Sequence, residues 1–171
     1  MRALLASAIV ASALSGVAQA DVVAKSTDGM VIRVKAEASL DRDAAWARLV
    51  DVASWWSGSH TYSGDAKSLS LDAQAGGCWC ERWSGGEVEH GRVVMVMPKQ
   101  TLRVQGAFGP LQDLGANAAM TLSLSDGSAP GRTMLTLDYK VVGSSLSGLD
   151  QLAPIVDRVL TEQANGFAAV K

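Results

Sequence analysis

The chain has 171 residues, 48% of them hydrophobic, and a formal net charge of −2 at pH 7. This length suits one domain that buries a hydrophobic core. Because Lys and Arg are spread along the chain without forming a block, the composition does not predict binding to nucleic acid or to anionic membrane surfaces.

Residues 1–20 have the features of a cleavable signal peptide. Arg2 provides a positive start, residues 4–17 are apolar apart from small polar interruptions, and the segment ends in Ala18-Gln19-Ala20, a small-x-small cleavage pattern. The apolar run is short for a membrane span, so we expect no stable membrane insertion after cleavage. We therefore predict a signal peptide over residues 1–20, cleavage after Ala20, and an exported domain over residues 21–171. We expect that domain in the periplasm rather than fully secreted.

The first strand and the first helix of the domain are predicted by hydrophobic periodicity. Residues 30–40 alternate between apolar and polar side chains, which is typical of a strand. Asp41 can cap a helix over residues 41–53, where apolar residues recur at helical spacing. Trp55 and Trp56 follow, and we predict a second short helix or a turn there.

The rest of the chain alternates strand patterns with turn signals and ends in a long helix. Residues 67–142 contain five or six strand patterns separated by Gly- or Pro-containing turns. Residues 149–170 carry one broad apolar face, as expected for a helix packed on a sheet. A meander of antiparallel strands with separate helices indicates the α+β class.

Several local patterns in this order resemble the START-like (SRPBCC) superfamily, in particular its polyketide cyclase and heat-shock ATPase activator-homologue branch. The resemblance extends over residues 30–168. The patterns are Ala45-Trp46, Trp55-Trp56, Ala75-Gly76-Gly77, His90-Gly91-Arg92-Val93, Pro98 followed by Leu102, residues 131–137 and residues 156–160. An export signal argues against activation of a cytosolic ATPase, although the fold can be shared.

The resemblance implies a helix-grip fold with a ligand cavity. We expect a curved antiparallel sheet of about six or seven strands wrapped around a long C-terminal helix, with two short helices after the first strand and an apolar volume between sheet and helix. The residue set expected to bind a ligand combines alternation in the strands with the apolar face of the helix. Its members are Trp55, Trp56, Cys78, Cys80, Leu102, Val104, Phe108, Leu135, Leu137, Tyr139, Val156 and Leu160. Each of them could instead simply belong to the core.

Cys78 and Cys80 are the two cysteines, and they are separated by one residue. On a regular strand their Cα atoms would lie about 6.6 Å apart, near the upper limit for a disulfide. Three interpretations remain open: two free core cysteines, a disulfide that is strained and reducible or needs a local bulge, or a soft-metal or redox site. The sequence assigns no metal and no cofactor to the chain.

Four polar residues are candidates for acid–base chemistry: His60, Glu81, His90 and Tyr139. If the chain turns at residues 85–86, Glu81 lies opposite His90 in a hairpin. None of the four belongs to a recognisable nucleophile, phosphate or metal motif, so no catalytic residue is assigned.

The sequence therefore predicts a small exported domain that binds a small apolar or amphipathic molecule and performs no covalent chemistry on it. A cyclase- or dehydratase-type enzyme that uses polar groups in the same cavity is the first alternative. A structural or partner-binding domain with a filled core is the second. The sequence leaves the identity of the ligand and the oligomeric state open.

Overall fold

The computed structural model describes residues 18–170; residues 1–17, most of the predicted signal peptide, lie outside them. This part of the chain forms eight strands and two α-helices. In chain order they are β1 (Gln19–Ser26), β2 (Gly29–Ala38), α1 (Arg42–Val50), β3 (Leu69–Leu71), β4 (Cys78–Trp83), β5 (Gly86–Met97), β6 (Thr101–Gln105), β7 (Asn117–Asp126), β8 (Thr133–Val142) and α2 (Leu149–Ala168). Neither helix is long and apolar enough to cross a membrane.

One open antiparallel sheet contains all eight strands, in the order β1-β2-β8-β7-β6-β5-β4-β3. Its centre is the regular pairing of β2 with β8, from Gly29 opposite Val142 to Ala38 opposite Thr133. Alternate side chains of these strands, such as Val34 and Leu137, are fully buried. The α+β class and the antiparallel sheet with a C-terminal helix are confirmed.

The strand count differs from the six or seven expected, because β1 was not predicted. β1 is an edge strand that pairs on one side only, and most of its residues are exposed, so its sequence has no clear alternation. Its first two residues, Gln19 and Ala20, pair with Lys35 and Val34 of β2. The predicted cleavage after Ala20, which stays a prediction, would remove these two residues from the strand.

One α-helix, rather than two short ones, lies between β2 and β3. Asp41 caps α1 as expected, since its side chain accepts a hydrogen bond of 2.8 Å from the backbone N–H of Ala44. The second predicted helix is a single 3-10 turn, Val52–Ser54, followed by the turn that carries Trp55 and Trp56. This turn directs both indole rings to the interior, where they are almost fully buried.

Helix α2 packs against β1 and β2, and α1 holds its C-terminal end. The Arg48 guanidinium donates to the carbonyl oxygens of Gly166 and Phe167, each at 2.8 Å, which satisfies acceptors that a helix end leaves free. Pro154 lies inside α2 and cannot donate to the carbonyl of Asp150, which instead accepts from the Lys25 ammonium at 3.3 Å. These contacts fix α2 over one end of the sheet.

Candidate functional site

A cavity of about 450 Å³ lies between α2 and the sheet. Side chains from α2, from four strands and from two loops form its wall, and most of them are apolar. The lining residues are Trp56, Ser59, His60, Thr61, Tyr62, Leu69, Trp79, His90, Phe108, Gly109, Pro110, Leu111, Tyr139, Leu152, Ile155, Val156, Val159 and Leu160. A space of this size and composition is typical of a small-molecule site.

Three aromatic side chains from different parts of the chain form one continuous wall of the cavity. The ring centroids of Trp56 and Trp79 are 5.1 Å apart, and those of Trp79 and Phe108 are 5.0 Å apart, both in edge-to-face contact. Phe108 also lies 5.9 Å from Trp56. Aromatic pairs at these distances hold each other in place, so the wall is a rigid apolar surface.

The cavity opens between α2 and the loop that contains Tyr62. Ile155 on α2 and Tyr62 in the loop both line the cavity, yet they are 48% and 50% exposed. Leu152, Val156 and Val159 on the same side of α2 are only partly buried. Apolar side chains left partly exposed at one end of a cavity mark an entrance rather than a closed core.

The loop over residues 57–65 is tied to α2 at the entrance. The buried Gln163 side chain accepts a hydrogen bond of 2.7 Å from the backbone N–H of Ser57. His60 Nε2 lies 3.0 Å from Glu162 Oε2, and the Trp56 indole donates to the carbonyl oxygen of His60. The loop is therefore an ordered part of the cavity wall.

Glu81 anchors the other end of this loop from within the sheet. Its carboxylate is fully buried and accepts hydrogen bonds from the backbone N–H groups of Tyr62 (3.1 Å) and Ser63 (2.5 Å) and from His90 Nε2 (3.0 Å). Burial alone would raise the pKa of Glu81, but the hydrogen bonds from Ser63, Tyr62 and His90 together lower it. Glu81 is therefore a carboxylate at neutral pH.

His90 lies in the wall beside this carboxylate, with both faces of its imidazole ring covered. Phe108 stacks on the ring at 5.6 Å and Tyr62 at 6.0 Å, and only 4% of the residue is exposed. Burial lowers the pKa of His90, although Glu81 acts in the opposite direction. Within residues 18–170, Nδ1 of His90 is buried and has no hydrogen-bond partner.

The sheet positions His90 through an irregular pairing of β4 with β5. Trp79 pairs with Gly91 and Cys80 pairs with Glu89, so His90 is the extra residue of a β-bulge. Two glycines make room for it, since a Cβ atom on Gly106 would lie 2.2 Å from the His90 carbonyl oxygen and one on Gly91 would collide with Val104. The predicted proximity of Glu81 and His90 is confirmed, although Glu81 pairs in register with Val88.

Tyr139 lies in the cavity wall, and its hydroxyl group is already engaged. It accepts a hydrogen bond from the backbone N–H of Phe108 at 3.0 Å and donates to the carbonyl oxygen of Gly106 at 3.4 Å. Burial raises the pKa of the phenol strongly. Tyr139 therefore holds the start of the loop that carries Phe108 and Pro110 at the cavity, and it is a positioning residue in this arrangement.

Five of the twelve residues expected to bind a ligand line the cavity: Trp56, Phe108, Tyr139, Val156 and Leu160. Five others lie in the core away from it, namely Trp55, Leu102, Val104, Leu135 and Leu137. The four residues from β6 and β8 are fully buried in the core cluster and do not reach the cavity. Trp55 was expected near the entrance and packs behind Trp56 against Phe167 instead.

The remaining two, Cys78 and Cys80, were expected toward the cavity and lie on the opposite face of β4. They form a disulfide with a Cα–Cα distance of 5.4 Å, shorter than the spacing of a regular strand. Of the three interpretations left open by the sequence, the structure has the disulfide, and a β-bulge lies beside it on β5. Trp79, between them, points inward and forms part of the aromatic wall.

Thirteen lining residues were absent from the predicted ligand-binding set, although His60 and His90 among them were candidates for acid–base chemistry. They are Ser59, His60, Thr61, Tyr62, Leu69, Trp79, His90, Gly109, Pro110, Leu111, Leu152, Ile155 and Val159. The apolar face of α2 and the large, normally buried Trp79 were usable signals in the sequence. Tyr62 had none, because it reaches the cavity only through the hydrogen bonds that Glu81 makes with the loop.

Comparison with known proteins adds information about the fold. No family model matches this chain, and no curated protein is significantly similar to it. The conserved protein of unknown function EF2215 from Enterococcus faecalis is a structural neighbour, with a TM-score of 0.56, 12% identity, and coverage of 83% of this chain and 73% of the neighbour. A protein from Rhodobacter sphaeroides gives a TM-score of 0.55 at 16% identity, and the match covers 88% of this chain and 96% of that protein.

CalU16 from Micromonospora echinospora, in its solution NMR structure, is a third neighbour. Its TM-score is 0.51 at 14% identity, over 82% of this chain and 66% of CalU16. At these identities the likeness extends to the fold alone. The chain is thus an α+β domain, an eight-stranded antiparallel sheet with a C-terminal helix, and its fold is similar to that of these solved structures.

Proposed function

We propose that this chain is an exported binding domain that holds a small apolar or amphipathic molecule between α2 and the sheet and performs no covalent chemistry on it. The observation that carries the proposal is the aromatic cavity, because its volume of about 450 Å³ falls within the usual range of ligand pockets. A structural domain with a filled core would leave no such space.

Two parts of the proposal rest on the sequence. Export rests on the signal-peptide features of residues 1–20. Assignment to the polyketide cyclase and heat-shock ATPase activator-homologue branch rests on the ordered motifs, such as Trp55-Trp56 and residues 156–160. The structural neighbours support the general fold for this assignment.

Native mass spectrometry of gently purified protein tests the binding function. We expect an additional mass on the exported wild-type protein, released by extraction with organic solvent. Val156→Trp places a large side chain at a partly buried lining position, so we expect this variant to lose most of the additional mass.

Arg158→Trp is the matched control, since it adds the same side chain at an exposed position of α2. We expect this control to keep the bound molecule, and circular dichroism to show that both variants are folded. A wild-type protein that carries no molecule after gentle purification, or a V156W variant that keeps it fully, would contradict the proposal.

A cyclase- or dehydratase-type enzyme is the second candidate function, and the buried Glu81–His90 pair favours it. A neutral His90 in the wall of the cavity could accept a proton from a bound substrate, with Glu81 stabilising the resulting charge. The two candidates differ in what happens to the bound molecule. A carrier returns the extracted molecule unchanged after incubation with fresh protein, whereas an enzyme changes its mass or its absorption spectrum.

A further inference from the structure

We propose that the molecule held in this cavity is neutral, has an apolar body, and carries a hydroxyl or N–H group that donates a hydrogen bond to Nδ1 of His90. The inference rests on the proposed binding function and specifies the chemical class of the ligand.

The hydrogen bonds of Glu81 determine which nitrogen of His90 carries the proton. The Glu81 carboxylate can only accept, and it already accepts from the backbone N–H groups of Tyr62 and Ser63. Its contact with His90 Nε2 therefore requires a proton on that nitrogen. In the neutral ring Nδ1 then has a free lone pair, so His90 offers a hydrogen-bond acceptor.

This acceptor is buried and unsatisfied by the part of the chain that the structure describes. Leaving a buried polar group without a partner costs about 1–3 kcal/mol, and such groups in folded proteins usually have a partner. Phe108 and Tyr62 cover both faces of the ring, so only its edge remains for hydrogen bonding. His90 forms part of the cavity wall, but protein side chains cover Nδ1 itself. A donor on the ligand therefore reaches Nδ1 when a neighbouring side chain shifts, and Tyr62 is half exposed and free to do so.

The charges around the cavity disfavour an anionic ligand. The described lining residues include no Lys or Arg, and the negative charge of Glu81 lies directly behind His90. His60, the other histidine in the wall, is already paired with Glu162. A carboxylate in this apolar space would lose its hydration without gaining a cation, whereas a neutral donor would lose little.

Isothermal titration calorimetry with three probes of similar size tests the inference on the wild-type protein at pH 7.5. The probes are 2-naphthol, which is neutral and can donate; 2-methoxynaphthalene, which is neutral and cannot donate; and 2-naphthoate, which is an anion. We expect 2-naphthol to bind about 3- to 10-fold more tightly than 2-methoxynaphthalene, the effect of one neutral hydrogen bond. We expect 2-naphthoate to bind about 10-fold or more weakly than 2-naphthol.

Two histidine variants locate the effect. His90→Phe keeps an aromatic ring between Tyr62 and Phe108 but removes the acceptor, so the preference for 2-naphthol over 2-methoxynaphthalene should disappear. His60→Phe is the matched control, because His60 also lines the cavity but has Glu162 as its partner. Whatever this control does to the individual affinities, their ratio should stay as in the wild type.

The outcomes separate the inference from the proposed function. Equal affinities for the three probes, tightest binding of 2-naphthoate, or an unchanged ratio in H90F overturn the inference while leaving the binding function in place. Failure of all three probes to bind overturns both. If H90F does not fold, the order of the three affinities in the wild-type protein still supports or overturns the inference.

Discussion

Gly166 on α2 lies directly against the turn that carries Trp55 and Trp56. A Cβ atom at this position would lie 2.2 Å from the carbonyl oxygen of Trp55, which is backbone and cannot rotate away. The contact lets the helix lie directly on the turn that carries Trp55 and Trp56. The position of the aromatic wall therefore depends on the absence of a side chain here.

We predict that Gly166→Ala destabilises the protein by about 1–3 kcal/mol, the usual cost of overpacking. In an unconstrained helix interior the same change stabilises by about 0.5–1 kcal/mol, so the sign of the effect tests the contact. Urea denaturation followed by circular dichroism gives the free energy of unfolding. Arg158→Ala, at an exposed position of α2, is the control and should stay within about 0.5 kcal/mol of wild type.

At single positions, the sequence indicates on which face of the sheet a side chain lies. It does not indicate whether that side chain reaches the cavity or is covered by other core side chains. Leu135, Leu137 and Tyr139 alternate along β8 and are all buried on the same side. Tyr139 reaches the cavity, whereas the two leucines are covered by other core side chains. Depth depends on where α2 crosses the sheet, and that is a property of the packed molecule.

The elements were largely predictable from periodicity, with two informative exceptions. β2, α1 and α2 appear close to the expected positions because each has a clear apolar face. β1 escaped prediction because an exposed edge strand needs no alternation. The bulge at His90 also has no periodic signal, although it determines which residues of β5 lie opposite Trp79 and Cys80.

The disulfide at the start of β4 closes a very short loop. The loop-closure relation for three residues gives a stabilisation of the folded protein of about 1.6 kcal/mol. Typical disulfides stabilise by about 2–4 kcal/mol. We predict that the double variant Cys78→Ser/Cys80→Ser loses about 1–2 kcal/mol of unfolding free energy and stays folded.

Thiol titration of denatured protein under non-reducing conditions checks the covalent state directly. We expect no reactive thiols in the wild-type protein and two after reduction, since both cysteines are paired. Two reactive thiols before reduction would contradict the disulfide and return the free-cysteine interpretation. Reduced wild-type protein is the matched control for the double variant, and the two should unfold at similar urea concentrations.

For the whole molecule, the buried Glu81–His90 pair links stability to pH. Burial lowers the pKa of His90 in the folded protein, so the unfolded chain takes up a proton at a higher pH than the folded one. Stability is therefore complete above the ordinary histidine pKa of about 6.5 and falls as the pH drops below it. Glu81, whose pKa is also lowered, adds a further loss at more acidic pH.

We predict that the free energy of unfolding of the wild-type protein decreases between pH 7 and pH 5, and that H90F shows a flatter profile over this range. The groups in contact with the His90 ring are Glu81 from β4, Tyr62 from the entrance loop and Phe108. Asp157 on α2 has the opposite effect on the pH dependence of stability, because burial raises its pKa. It is present in both the wild-type protein and H90F, so it does not affect their difference. Urea titrations at several pH values give both profiles, and parallel curves would disprove the role of His90.

The carboxylate of Glu81 joins the entrance of the cavity to its polar end. Were the loop over residues 57–65 to lift and admit a molecule, Glu81 would lose the two N–H groups that keep it ionised, leaving His90 as its one remaining donor. A carboxylate that protonates more easily no longer fixes the proton on Nε2, so Nδ1 would cease to be a dependable acceptor. His90 Nδ1 is thus a dependable acceptor for a bound molecule only when the loop over residues 57–65 is closed on Glu81.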